Sequence, residues 1–339
     1  MSGGARAAYH RAARTVGGAA LNLAIYLLSF ALVPLAILLL WGAATRRRAG
    51  LCIALLVPVG LGLYARFIEP HRLLVAQHMV RVCGGGLPGT VRAAIVSDTH
   101  HGAFGNAVSM RRIADRVNRL QPDLVLMPGD FTYYPARDAI GSDVAPLAEI
   151  AAPVYAVLGN HDVGLPGPDL TAPLTEALTQ AGVTVLYPGE ALFAARGHVL
   201  RIAGLRDLYE VEERGVPLGV PEPDTIATVL LQHNPDAMRL PGIGEVDLMV
   251  AGHTHGGQVL LPGITCALTF ACDTLRYGAA ELPSGQLFVT SGTGMTGLPI
   301  RFGVPPRIDM LDIEIVRCDA PGRRAFRRRE QRRRFGPSN

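Results

Sequence analysis

The sequence predicts an α/β domain of two packed sheets flanked by helices, preceded by a helical hairpin embedded in a membrane. Three observations carry this reading: two long apolar runs near the start, alternating strand-like and helical segments after them, and a later region of short strands separated by turns. With 339 residues the chain is long enough for a buried core, and 49% hydrophobic against 18% charged residues excludes disorder throughout. A mean hydropathy of +0.26 places part of the chain in lipid.

The first apolar run, Ala19 to Ala44, has no ionised side chain. As a helix rising about 1.5 Å per residue it covers the ~30 Å hydrocarbon core. Trp41 suits the interfacial aromatic belt, and Pro34 is tolerated in lipid. The alternative is a cleaved signal peptide, but the run is too long and no small-residue cleavage site leads into a polar mature start. The second run, Ala49 to Ala65, follows Arg46, Arg47 and Arg48; it is shorter and contains Gly60 and Gly62, so a re-entrant or interfacial segment is the alternative to a second span. Two spans, 19–44 and 49–65, are the preferred count. The expected organisation is an N-terminal tail (1–18), a hairpin segment (19–82), a connector (83–92), a globular domain (93–316) and an arginine-rich tail (317–339).

Arginines count in opposite directions for orientation. Arg46 to Arg48 favour a cytoplasmic hairpin loop, whereas Arg6, Arg11, Arg14, Arg66, Arg72 and Arg81 favour both hairpin ends inside. The five cysteines are odd in number and contain no CxxC, so they read as free thiols and lean the same way. The expectation is a multi-pass plasma (inner) membrane protein whose globular part faces the cytoplasm.

In the globular part, strand-like runs at Ala93–Ser97, Leu124–Met127, Val154–Leu158, Val199–Ala203, Ile226–Leu231 and Leu248–Ala251 end in polar or glycine residues. Between the first two, Ile113, Val117 and Leu120 recur at helical spacing behind an Asn106 cap; a second helix is expected at Thr171–Ala181 before Gly182. Short strands follow at Val183–Leu186, Ala191–Ala195, Gln258–Leu261, Gln286–Ser291 and Met310–Val316, the last alternating Leu311, Ile313 and Ile315 with Asp312 and Glu314.

Chemistry gathers at the strand ends. Asp98-Thr-His100 follows the first strand, Gly129-Asp130 the second, Gly159-Asn160-His161-Asp162 the third; then come a lone His233 and Gly252-His253-Thr-His255-Gly256. Carboxylates and imidazoles without thiolates suit divalent Mn, Fe or Zn. Alternate residues on an extended segment point the same way, so Asp98 with His100, and His253 with His255, each address one ion; Asp130, on a tight glycine turn, is the natural bridge. Two ions about 3.5–4 Å apart clamp the attacking and leaving oxygens of a phosphate. All 32 basic residues are arginines, which excludes lysine Schiff bases and a P-loop lysine.

The ordered set DxH, GD, GNHD, His and GHTH resembles the calcineurin-like metallophosphoesterase superfamily, over Asp98 to His255 and onward to about Val316. The closing Ser291-Gly-Thr-Gly, followed by the stretch Leu298 to Arg307, resembles its membrane-attached bacterial branch, the YkuE/YaeI-like phosphoesterases. This resemblance implies a four-layer α/β/β/α sandwich of two mixed sheets. It implies that Asp98, His100 and His255 hold one metal, and Asn160, His233 and His253 the other, with Asp130 shared. It also implies that His161 contacts the phosphate and protonates the leaving oxygen, with Asp162 orienting it. The family often carries an acidic residue soon after GD; here Phe131-Thr-Tyr133-Tyr134 stands instead, leaving Tyr133 as a hydroxyl donor. The implied activity is hydrolysis of phosphodiester or pyrophosphate bonds. Membrane lipids are expected partners and lipid-linked molecules, such as UDP-diacylglucosamine, candidate substrates.

Taken singly, DxH or GD is a common turn or cap. His101 reads as a solvated loop residue, and Arg301 and Arg307 as exposed arginines. Nine arginines between Arg317 and Arg334 suit anionic lipid, and no specific nucleic acid is expected. A basic-tailed nucleic-acid binding or cleaving protein is the alternative function.

Overall fold

The computed structural model describes residues 16–45, 49–84, 88–105, 107–195, 197–222, 226–240, 243, 246–261, 265, 275–282 and 285–317. The Arg46–Arg48 loop, Asn106 and the arginine tail after Arg317, on which the nucleic-acid alternative rests, lie outside them.

The first apolar run forms two helices, α1 (Val16–Ser29) and α2 (Leu32–Ala44). Pro34 explains the break: without an N–H it cannot bond the Phe30 carbonyl, which takes Val33 N–H at 3.1 Å instead. The second run, α3 (Ala49–Leu63), packs against α2 and continues through a wide turn, Tyr64–Ile68, and a tight one, Glu69–His71. The stretches Ala20–Ala44 and Ala49–His71 are both long and apolar enough to cross a membrane.

Two six-stranded mixed sheets follow. The first has the order β1 (Leu74–Gly84), β14 (Arg307–Arg317), β2 (Gly89–Ile95), β4 (Leu124–Met127), β6 (Val154–Ala156), β7 (Thr184–Val185). The second runs β12 (Gly278–Leu282), β13 (Gly285–Val289), β11 (Val246–Ala251), β10 (Ala227–Leu231), β9 (His198–Gly204), β8 (Gly189–Ala195). A two-residue pair, β3 (His101–Gly102) with β5 (Thr132–Tyr133), sits apart from them.

The central strands β4, β6, β10 and β13 are buried on both faces, so their sequences are largely apolar runs. Ala93 and Ile95 pack with Val229, Leu231 and Phe288 between the sheets. Ala94 and Val96 pack outward against α4 (Met110–Leu120) and α5 (Thr171–Gln180) through Ile113, Val117, Leu174 and Leu178. On the far side, Leu230, Met249 and Val289 cover Ala237 and Met238 of the short turn Pro235–Arg239. This is the expected four-layer order.

Several expectations change. Leu74–Gly84, assigned by sequence to the hairpin and connector, is a strand of the first sheet, parallel to β14 over its whole length. Polar Gln77, His78 and Arg81 disguised it, and two of them have partners there: His78 meets Asp309, and Arg81 meets Glu314. The cap of α4 is Ser109, whose hydroxyl accepts Arg112 N–H at 3.3 Å. Gln258–Leu261 is a loop with one bridge, Val259 to Phe302. Cys52 is free, but Cys83 is disulfide-bonded, unlike the free thiol expected.

Candidate metal centre

In both sheets the parallel strands end at one edge, and the five motifs follow β2, β4, β6, β10 and β11 there. The turns are sharper than extended backbone allows. Asp98, His100, Asp130, His253 and His255 all have positive φ, between 46° and 69°. Such conformations disfavour side chains by roughly 1–2 kcal/mol each. The DxH and HxH pairs therefore converge through left-handed kinks, a correction to the strand alternation assumed from sequence. Glycine permits the approach: a Cβ on Gly159 would collide with the Asp130 carboxylate, and one on Gly252 with Asp98 and Ser97.

Two groups result. Asp98, His100 and His255 place their donor atoms within 4.8 Å of one another, and so do Asp130, His233 and His253. In the first, His100 Nε2 lies 2.9 Å from His255 Nε2, and Asp98 Oδ1 lies 3.9 and 3.4 Å from these two nitrogens. In the second, His233 Nε2 lies 3.1 Å from Asp130 Oδ2 and 3.3 Å from His253 Nδ1; Asn160 Oδ1 is 3.0 Å from that Nδ1. Asp130 Oδ2 also reaches His100 Nε2 at 3.5 Å, so one carboxylate faces both groups. A cation with bonds of about 2.1 Å separates donors at right angles by about 3.0 Å, so these spacings fit the edges of two coordination shells. The oxygen and imidazole donors suit divalent Mn, Fe or Zn alike.

Electrostatics agree. Burial pushes the Asp98 carboxyl up to about 6. Burial would also raise Asp130, but His233, His161 and His100 outweigh it and hold that carboxyl well below the usual range. Burial opposes charge on His233, yet Asp130 and other carboxylates raise it to about 10. His100 is driven down to about 3, chiefly by burial, and His255 well below its ordinary value for the same reason. The cluster thus centres on an Asp130–His233 ion pair.

His161 lies beside this cluster. Its backbone N–H donates to Asp130 Oδ1 at 3.0 Å, and its ring stands 5.1 Å from His100 and 4.9 Å from Tyr133. Its orienting partner is the Pro166 carbonyl, 3.2 Å from Nδ1, not Asp162. Asp162 instead accepts from Phe131 N, Thr132 N, the Thr132 hydroxyl and Gly159 N, at 2.9–3.2 Å, and so clamps the GD turn to the GNHD turn. Its carboxyl is pushed up to about 7, by burial first and by Asp130 second. The Tyr133 hydroxyl accepts Gly297 N–H at 3.2 Å, while its ring packs on His100 at 5.5 Å.

Sequence reasoning missed three contacts. Tyr209 places its hydroxyl 3.2 Å from His253 Nε2, and no motif marked it. His101 is buried rather than solvated. Arg301 is fully buried, with Nη2 3.3 Å from His255 Nδ1; it lies in the closing motif, where its isolation among Ile300, Phe302 and Val304 was the available signal.

Comparison with known proteins places this geometry. The calcineurin-like phosphoesterase domain matches residues 91–257, from the first of these strands to the GHTH turn. The chain is 30% identical over 266 residues to the metallophosphoesterase YkuE of Bacillus subtilis, covering 74% of this chain and 89% of that one. It is 28% identical to the phosphodiesterase YaeI of Escherichia coli, covering 74% and 92%. A transmembrane protein with metallophosphoesterase domain from Danio rerio is 27% identical, covering 74% and 59%. With its strand-end motifs gathered at one sheet edge and relatives matched over most of their length, the chain belongs to the calcineurin-like phosphoesterase family and is a metal-dependent phosphoester hydrolase.

Proposed function

We propose that this protein is a membrane-anchored, two-metal hydrolase of phosphodiester or pyrophosphate bonds. Asp98, His100 and His255 hold one divalent cation, Asn160, His233 and His253 the other, and Asp130 belongs to both. The observation that carries the reading is the position of the Asp130 carboxylate, 3.1 Å from His233 and 3.5 Å from His100. Two divalent cations there supply Lewis acidity and a clamp for the oxygens of a phosphate ester.

The chain's own groups do the rest. The Pro128 carbonyl, 2.8 Å from His233 Nδ1, and the Thr132 carbonyl, 3.3 Å from His100 Nδ1, fix both rings with Nε2 toward Asp130. With its Nδ1 proton held by Pro166, His161 keeps Nε2 for a substrate oxygen. Proton donation from Nε2 then needs the imidazolium form, which burial disfavours, so that step operates on the acid side of the ordinary histidine range.

The apolar helices anchor the domain, and the zebrafish relative is a transmembrane protein with metallophosphoesterase domain. An active centre tied to a bilayer meets phosphates carried by lipids, so lipid-linked phosphoesters or pyrophosphates are the proposed substrates and membrane lipids the partners. On sidedness, the Cys83 disulfide favours an oxidising compartment for the domain, with the Arg46–Arg48 loop on the cytoplasmic side. This proposed orientation is the opposite of the one the arginine count favours. Protease added to intact spheroplasts should digest the domain; protection until lysis would support the inward orientation.

Activity is tested with bis-p-nitrophenyl phosphate and a panel of lipid phosphates, with and without chelator, beside Asp130→Asn. Hydrolysis abolished by chelation, restored by Mn²⁺ and lost in the variant supports the reading. Full turnover in the variant contradicts it.

A further inference from the structure

The second apolar helix does not end as a free anchor. In the wide turn that follows it, the Arg66 guanidinium is buried among three rings, 4.8 Å from Tyr26, 5.1 Å from Phe30 and 4.8 Å from Phe67, and its Nε donates to Ser29 Oγ at 2.8 Å. All but Phe67 of these partners belong to α1 or its end, so the cation pins the two apolar segments together. The neighbouring Ala65 carbonyl accepts the backbone N–H of Arg301 at 3.0 Å.

From there the contacts enter the metal centre. Arg301 is 0% exposed and uses every side-chain nitrogen: Nε donates to Gly294 O at 2.8 Å, Nη1 to Val304 O at 3.0 Å, and Nη2 to Ser291 O at 3.0 Å, with Nη2 also 3.3 Å from His255 Nδ1. The 291–294 segment it grips is bound in turn to the DxH turn, with Gly294 N–H donating to Asp98 O at 2.6 Å and Thr293 N–H to Ser97 O at 3.0 Å. The guanidinium therefore supports the first group through the Asp98 backbone and stands against the His255 ring. A residue so enclosed has no face left for substrate.

We propose that Arg301 is a positioning residue for the first metal group and that it couples this group to the membrane hairpin through Ala65, so that hairpin docking governs how tightly the first cation is held. The inference rests on the two-metal reading. It assigns the two cations different dependencies, because His233 of the second group is held by the Pro128 carbonyl and Asp130 within the domain. Lysine cannot replace the arginine: one ammonium cannot span three separated carbonyls and a ring.

The test uses the full-length protein in detergent micelles, titrated with Mn²⁺ by calorimetry and followed by electron paramagnetic resonance, which separates a spin-coupled pair from an isolated ion. In Arg301→Lys the first site should weaken by ~10–100-fold while the second is unchanged, so the coupled signal gives way to that of a single ion. Arg66→Ala, which removes nothing from the catalytic domain, should shift the same site in the same direction. Unchanged binding of both ions in Arg301→Lys overturns the positioning role, and unchanged binding in Arg66→Ala overturns the coupling. Should Arg301→Lys fail to fold, Arg66→Ala decides alone. Wild-type protein that binds no pair overturns the two-metal reading itself, whereas a normal wild type beside unaffected variants overturns this inference only.

Discussion

Replacing Asp162 by alanine tests whether this residue clamps two turns or merely orients a histidine. In the native fold its carboxylate accepts three backbone N–H groups, from Phe131, Thr132 and Gly159, together with the Thr132 hydroxyl, and the residue is fully buried. Alanine leaves those three amides without acceptors. At the low end of ~1 kcal/mol for each unsatisfied buried donor, the loss is about 3 kcal/mol. For a domain of this size that lowers Tm by roughly 6–12 °C. Differential scanning calorimetry of the full-length protein, with and without Mn²⁺, reads the shift. Asp162→Asn, which keeps one acceptor oxygen, should fall between. A Tm for Asp162→Ala within about 2 °C of wild type would refute the clamp, given the ~2–4 °C expected per kcal/mol.

Three further outcomes follow from the same contacts. His161→Asn should lower kcat by ~10²–10⁴-fold while the metal content stays at two, because the ring's hydrogen bond among the described residues goes to the Pro166 carbonyl; loss of metal would make it structural. Metal stabilisation should grow with pH. Neighbouring carboxylates hold the His233 proton up to about 10, so its contribution to the metal-free protein is complete below the ordinary value of 6.5 and is lost as pH rises toward about 10. A cation must displace that proton, so the gain in Tm on adding Mn²⁺ should be larger at about pH 8 than at about pH 6; an equal or smaller gain would contradict the proposed ion pair. Gly252→Ala should cost the first cation and leave the second, as metal analysis would show, because the added methyl meets Asp98 and Ser97.

The sequence announced the parts of this molecule whose chemistry is local. Runs such as Leu124–Met127 and Leu248–Ala251 could only be buried on both faces, and the polar residues after them had to gather wherever those strands ended. Seven candidate ligands were legible because each sits in a short motif beside glycine or at a strand end. Long-range pairing hid the rest. Leu74–Gly84, interrupted by Gln77, His78 and Arg81, does not read as a strand until Asp309 and Glu314, more than two hundred residues away, supply partners for His78 and Arg81. Arg301 looked like a solvated cation, since the carbonyls of Ser291, Gly294 and Val304 that enclose it carry no side-chain signature. The left-handed backbone of Asp98, His100, Asp130, His253 and His255 was equally invisible, because only glycine advertises that conformation in a sequence.

The central claim is that a single carboxylate serves two cations, and crystals grown with Mn²⁺ test it most directly. Anomalous difference maps should show two peaks about 3.5–4 Å apart, one against Asp98, His100 and His255, the other against Asn160, His233 and His253, with Asp130 between them. Only one peak, or peaks remote from Asp130, would contradict the account.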